Sequence, residues 1–317
     1  MSERPGSSAD DPARDAEGAS PRASGGPLDV GGAESSDALS EEAVERQFPR
    51  TLRERIEQRV IMNVPSRHNP RLARLIERVN GDDDLYATWT AANVTAINRL
   101  GMTDHGPVHV KIVMNIALRL FRLLADAGVE FGVVRDHGLA REDAEVVVAL
   151  AALFHDLGMS IHRADHEGYS LFVAQAKLRE LLAGEYDTAE AAIVRSEVLH
   201  AIIAHRSGGA PLTIEAGIVR VADALDMAKG RSRIPFERES SVSIHSVSAA
   251  AIDRVHIERG DARPIRLIIE MSNSAGVFQL DQLFRDKLKG SGLEPYIRLE
   301  AEIEGEKEKR ILREFRL

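Results

Sequence analysis

The sequence predicts a mainly α protein with a disordered acidic tail over residues 1–40, a helical domain over 41–238 and a small α+β module over 239–317. Three features of the chain lead there. Apolar residues recur three and four apart from about residue 41 to 235, the spacing of a helix face. After residue 240 the period changes to two, the spacing of a strand. Hydrophobic residues make up 44% of the chain and aromatic ones only 4%, so the core must be filled by Leu, Ile, Val and Ala.

Residues 1–40 hold six Gly, eight Ser and four Pro, with eight acidic and three basic residues and almost nothing large and apolar. Such a segment cannot bury enough surface to offset the entropy of ordering it. In the helical part, one helix is expected from Asp104 to Ala125, with Val108, Ile112, Ile116, Leu120 and Leu123 as its apolar stripe. A second, apolar nearly all round, is expected from Asp143 to Leu157 and stops at Gly158. Asp187 followed by Glu190 marks the start of a third, which runs to about His205. A fourth spans Ala216 to Lys229. Beyond residue 240, Ile265, Leu267, Ile269 and Met271 alternate with Arg266 and Glu270, and Ile297, Leu299, Ala301 and Ile303 alternate with Arg298, Glu300 and Glu302. A helix near Leu280 to Lys289 lies between these two strands, and further strands are expected at Ser241 to Val247 and at the C-terminus.

Composition excludes several classes of function. The chain has no Cys, so it forms no disulfide, offers no thiolate and has no cysteine nucleophile; any metal must sit on His, Asp or Glu. The start of the chain has no basic stretch leading into an apolar one, so no secretory signal is expected. The absence of Cys fits the reducing cytoplasm, where the protein is expected to reside. The longest strongly apolar run, Val146 to Phe154, falls far short of the roughly 20 residues that span a bilayer, so no membrane partner is expected. Of the net charge of −9 the tail carries −5, which leaves −4 for the folded part. That balance argues against nucleic acid as a partner and leaves room for a small anionic ligand on a local basic patch.

Chemistry concentrates in the helical part. His155 and Asp156 end the most apolar helix of the chain, and buried polar groups there need partners or a metal. Taken alone, Asp156 could cap a turn and His155 could be a satisfied core histidine. However, seven of the eleven histidines, His105, His109, His155, His162, His166, His200 and His205, fall within about a hundred residues. His105 and His109 are four apart and share a helix face, as paired metal ligands do. Asp223 lies in the apolar stretch VRVADALDM, with Asp226 about one helical turn further on as an alternative ligand.

The order of these residues resembles the HD superfamily of metal-dependent phosphohydrolases. The segments that carry the resemblance are HVKIVMNIALRLFRLL from His109, ALFHDLGMSIHRADHEGYS around His155 and Asp156, HAIIAH ending at His205, and VADALDM with Asp223. Together they cover about residues 95–235. The resemblance implies a helical HD-type domain in which His109, His155, Asp156 and Asp223 bind metal. It also implies that His166 and His205 complete a second site in members that hold two ions. His200 and His205 are five apart, about 140° around a helix, so only one faces a given metal; His205 is preferred and His200 would support the ligands from outside. His105 and His162 stay open between additional ligand, substrate contact and ordinary surface histidine. The family's members that cleave cyclic dinucleotides carry adjacent histidines and a Gly-Tyr-Pro loop, whereas this chain reads AHRSGG around His205 and has Gly168, Tyr169 and Ser170 in another context. Cyclic-dinucleotide cleavage is therefore not implied.

The expected function is hydrolysis of a nucleotide or other small phosphate ester by metal-activated water, with His155 and Asp156 at its centre. His and Asp ligands without sulfur suit one or two ions of Mn, Fe, Co, Ni or Zn better than Mg. Asp156 is the natural bridge between two ions. Lys229, Arg231, Arg233 and Arg238 follow the Asp223 helix and could grip phosphate oxygens, as could Arg163; a solvated basic loop is the plainer reading of the same residues. The competing function is a metal-containing ligand-sensing or interaction protein without turnover, in which the C-terminal module signals or pairs with a second copy.

Overall fold

The computed structural model describes residues 59–228, 248 and 251–303 of the chain. All of them fall within one compact unit. The first helix, α1 (Pro70–Gly81), begins where the Asn69 side chain accepts the Leu72 N–H, and it buries Leu72, Leu75, Ile76 and Val79 at helical spacing. Helix α2 (Asp83–Asn93), capped by Asp82, runs on into a π-helical stretch at Val94–Arg99. Then follow α3 (Pro107–Asp126), the short α4 (Gly132–His137), α5 (Arg141–Phe154), a 3-10 turn at Leu157–Ser160, α6 (His166–Leu182), α7 (Thr188–Ala204) and α8 (Ile214–Leu225).

Helix α5 is the axis of the bundle. Every residue from Asp143 to Phe154 is buried, and α3, α7, α8 and α1 pack around it. Such all-round burial is what an unbroken Val/Ala/Leu run requires. Trp89 of α2 donates its indole N–H to Leu153 O at 2.9 Å and so holds the C-terminal end of that axis. The expected start of α7 is confirmed in detail, because the Asp187 side chain accepts the Glu190 N–H at 2.8 Å.

Two expectations are corrected. Helix α5 does not stop at Gly158: it ends at Phe154, and Gly158 lies inside the 3-10 turn. Glycine is needed there for close approach, since a Cβ would lie 2.0 Å from His166 O and 2.5 Å from Ser170 N. The stripe assigned to α3 is also displaced at its start. Val108 is 47% exposed and Ile112 39% exposed, while His109, Val110, Val113, Met114, Ala117, Leu118 and Phe121 face inward with Leu120 and Leu123. Two apolar stripes overlap on this helix, and packing against α5 and α8 selected the one that also buries His109.

The C-terminal part is a three-stranded sheet in the order β1 (Ile252–Arg259), β2 (Ile265–Met271), β3 (Ile297–Ile303). Strands β1 and β2 are antiparallel, and β2 and β3 are parallel with Ile265 opposite Ile297 and Met271 opposite Ile303. The parallel pair needs a crossover, supplied by the helical segment α9, which comprises Gly276–Phe278, the π-helical Gln279–Phe284 and Arg285–Leu288. Strand β1 has no clean alternation of buried and exposed residues, which is why no periodicity marks it in the sequence. The strands expected at Ser241 to Val247 and at the C-terminus lie outside the described residues, as does the tail. One apolar cluster runs without a break from the helices into Ile265, Leu267, Ile269, Leu299 and Ala301, and α8 packs against α9.

Candidate metal centre

The polar residues singled out in the helical part stand at helix ends, where backbone direction changes and side chains from several helices can converge. His109 is in the first turn of α3, His155 follows the last residue of α5, and His166 opens α6. His205 follows α7, while Asp223 and Asp226 lie in and just beyond the last turn of α8. The turn after α5 is clamped by Ser170, whose hydroxyl donates to His155 O at 2.7 Å and accepts the Gly158 N–H at 2.8 Å. Asp165, just before His166, has φ +56°, the one left-handed non-glycine residue among those described. Aspartate tolerates that conformation better than most residues, and here it sets the entry angle of α6.

The converging atoms form overlapping groups, one on each oxygen of Asp156 and a third in which His155, His205 and Asp223 approach one another. Asp156 Oδ2 is 3.3 Å from both His109 Nε2 and His155 Nε2. Asp223 Oδ1 closes that group at 3.6 and 3.7 Å from the same two nitrogens, which are themselves 3.2 Å apart. The other oxygen of Asp156, Oδ1, lies 3.2 Å from His166 Nε2 and 3.8 Å from His205 Nε2. Except for Asp223, which is half-buried, all these residues are buried.

The donor chemistry fits a cation. Three of the imidazoles commit Nδ1 outward: His109 to Asp226 Oδ2 at 2.6 Å, His155 to Ala152 O at 2.8 Å and His205 to Ile202 O at 2.6 Å. With Nδ1 protonated, each Nε2 lone pair points inward, the tautomer that metal-binding histidines adopt. Two such lone pairs 3.2 Å apart repel unless a proton or a cation joins them. Ligands held about 2.1 Å from one ion stand roughly 3.0–3.4 Å from each other, close to the separations found. At His166 the Nδ1 has a donor, Arg163 Nη1 at 2.8 Å, and two acceptors, Arg163 O and Glu167 Oε2 at 3.1 Å, so either tautomer is served.

The electrostatics describe buried carboxylates that draw positive charge to them. Burial would raise the carboxyl groups of Asp156 and Asp223, yet both are held well below the usual carboxylate range. His155 does most to hold Asp156 down; for Asp223 it is Lys287 and then His155. Burial would push the His155 imidazole down, but Asp156 and Asp223 reverse this and raise it to about 10. At His205 burial prevails, helped by the charges of His155 and Lys287, and the imidazole is pushed down to about 3. The proton on His155 thus occupies the place that a larger cation would fill.

The other expected residues are distributed as follows. Asp226 faces the outer nitrogen of His109 and does not join Asp223 among the converging atoms. His105 is buried, with its ring centroid 5.6 Å from that of His109 and its Nδ1 2.7 Å from Thr103 O. His200 accepts the Leu212 N–H at 3.0 Å, and His162 is exposed and accepts the Ala164 N–H at 3.0 Å; neither is among the converging atoms. Arg163 touches His166. Lys229, Arg231, Arg233 and Arg238 lie outside the described residues. One group went unnoticed in the sequence: Lys287 of α9 reaches Asp223 Oδ2 at 3.3 Å. No local pattern marks it, because its partner is 64 residues away.

A family model described as HD domain matches residues 108–228. The chain belongs to the HD-domain superfamily. The HD match encloses His109, His155, Asp156, His166, His205, Asp223 and Asp226, and it ends before the sheet and α9. HD domains bind divalent metals, and this HD domain has buried His and Asp groups that could hold one. The chain is also 43% identical over 216 residues to a protein of Methanocaldococcus jannaschii named "Uncharacterized protein MJ1020", across 68% of this chain and 83% of that one. No helix among the described residues is long and apolar enough to cross a membrane.

Proposed function

We propose that this HD-domain protein is a metal-dependent phosphohydrolase that acts on a nucleotide or another small phosphate ester. The observation that supports it most is the division of labour at Asp156, which offers Oδ2 to His109 and His155 and Oδ1 to His166 and His205. In this reading His109, His155, Asp156 and Asp223 would hold one ion, and His166 and His205 would join Asp156 in holding a second. Mn, Fe, Co, Ni or Zn suits such a nitrogen-rich set better than Mg. The bound metal supplies a Lewis acid for a phosphoryl oxygen and lowers the pKa of the attacking water.

The chain's own residues do the rest. Asp226 fixes the tautomer of His109, and the carbonyls of Ala152 and Ile202 do the same for His155 and His205. Burial of these groups keeps bulk water from competing for them. Arg163, next to His166, and Lys229, Arg231 and Arg233, which follow the Asp223 helix in sequence, are the proposed contacts for substrate phosphate.

The test is phosphate release from a panel of nucleotides and phosphomonoesters by protein purified without chelator and protected from oxidation, alongside its metal content. Turnover that requires the metal and disappears in the double variant His155→Ala, Asp156→Ala is expected. Bound metal with no turnover on any member would replace the hydrolase with a metal-containing ligand sensor. Absence of bound metal would remove both.

A further inference from the structure

We propose that Lys287 is a positioning residue of the metal centre, so that the C-terminal module beyond the HD match completes the site. This rests on the reading that the converging His and Asp groups bind metal. The two oxygens of Asp223 face opposite ways: Oδ1 toward His109 and His155 at 3.6 and 3.7 Å, Oδ2 toward Lys287 Nζ at 3.3 Å. A carboxylate rotates freely unless its second oxygen is held, and the ammonium holds it. The same ammonium donates to His205 O. One side chain, 20% exposed, therefore secures two of the residues that face the centre.

Lys287 is itself held in place by a device that serves this contact. Arg220, on α8 one turn before Asp223, is buried and makes no ion pair among the described residues, with Asp286 and Glu294 acting on it only through their charge. Its guanidinium donates to Lys287 O at 2.8 Å, to Asp286 O at 3.0 Å, to Arg206 O at 3.0 Å and also to Gly209 O. It thus ties α9 to both α8 and the turn that carries His205. A buried cation that satisfies only carbonyls is costly to maintain, so its removal would release three segments together. The same junction is close-packed: a Cβ at Gly217 of α8 would lie 2.1 Å from Ser291 O, in the turn after α9. Direct backbone contact of this kind limits how far α9 can shift against α8.

A cation beside a metal ligand also repels the metal, so the sign of its effect is informative. Orientation outweighs repulsion here, because Lys287 meets the oxygen turned away from the histidines and its charge is largely spent on that carboxylate. Support of this kind is typically worth about 10–100-fold in metal affinity.

The test is titration of metal-stripped full-length protein with Co²⁺, followed by its visible d–d absorption, for the wild type, Lys287→Met and Lys287→Arg. Lys287→Met is expected to bind Co²⁺ about 10–100-fold more weakly with an altered band shape, and Lys287→Arg to recover most of both. Circular dichroism of the metal-free proteins checks the fold, and Lys287→Gln replaces the Met variant in the same titration if that variant does not fold. Unchanged affinity and spectrum, or tighter binding, in the Met or Gln variant would overturn the role of Lys287. Failure of the wild type to bind Co²⁺ would instead overturn the metal reading itself.

Discussion

Near the start of α5 the Glu145 carboxylate, 1% exposed, meets Arg122 Nε at 2.9 Å, His68 Nε2 at 2.9 Å and Asn69 Nδ2 at 3.0 Å. Just past the other end of the same helix the Asp156 carboxylate, also buried, meets only imidazoles among the described residues. Asp143, close to Glu145, is likewise paired with Arg71 and with Tyr186 Oη at 2.9 Å. One end of the helix neutralises its buried acids with permanent cations and amide donors, as a structural site must. The other surrounds its acid with imidazoles, among which the positive charge is a proton on His155 that a metal can displace. Burial alone does not distinguish a structural carboxylate from a functional one; whether its partners can give up their charge does.

Asp156→Asn should break the contrast most strongly. It is expected to lower metal affinity by more than about 100-fold, beyond the 10–100-fold typical of a supporting residue. The metal-free variant should also lose stability near neutral pH, because the lowered Asp156 carboxyl and the raised His155 imidazole stabilise each other when charged. Metal analysis and melting curves after chelator treatment check both points. Glu145→Gln should leave metal affinity intact while destabilising the fold by about 2 kcal/mol in denaturant titration. That value is reduced from the 3–5 kcal/mol of a fully buried pair because Arg122 and His68 reach solvent. Equal effects of the two variants on metal affinity would erase the distinction.

A smaller effect is expected at Asp226. Its replacement by Asn keeps an acceptor for the His109 Nδ1–H but removes the charge, and metal affinity should fall about tenfold with unchanged stoichiometry in calorimetry. A loss as complete as that of Asp156→Asn would make Asp226 a direct ligand. The smallest effect concerns Glu185, whose carboxyl is held below its usual value chiefly by the Arg74 hydrogen bonds, with burial opposing. Such a group contributes stability above its unfolded pKa of 4.5, and that contribution is lost as pH falls through the lower folded value. Glu185→Gln should therefore lower the melting temperature slightly near neutral pH, and the difference should close at acid pH. A difference that persists in acid would mean that shape, not charge, ties α1 to the turn between α6 and α7.

The parts of the fold that were legible in the sequence are those specified by near neighbours. The Asp187 cap, the all-apolar α5 and the alternation in β2 and β3 each depend on residues two to four positions apart. Where two local patterns competed, as on α3, tertiary packing chose between them, and where alternation was absent, as in β1, the strand gave no signal. Gly158 reads in the sequence as the stop of α5, whereas the helix ends at Phe154 and the glycine is required because the backbone of α6 lies against it.

By itself the sequence determined which side chains had to find partners: His109, His155, Asp156, His166, His205 and Asp223 are polar groups on apolar elements, and desolvation makes such positions costly unless a ligand or an ion satisfies them. Only the tertiary structure decided what each atom faces. It turned Asp223 inward and Asp226 to the back of His109, divided the two oxygens of Asp156 between two pairs of histidines, and brought Lys287 to the centre from the sheet module. The physical reason is separation along the chain. His109 and His155 are 46 residues apart and His109 and Asp226 are 117 apart, so no local periodicity relates them, and their geometry comes from the packing of helix ends.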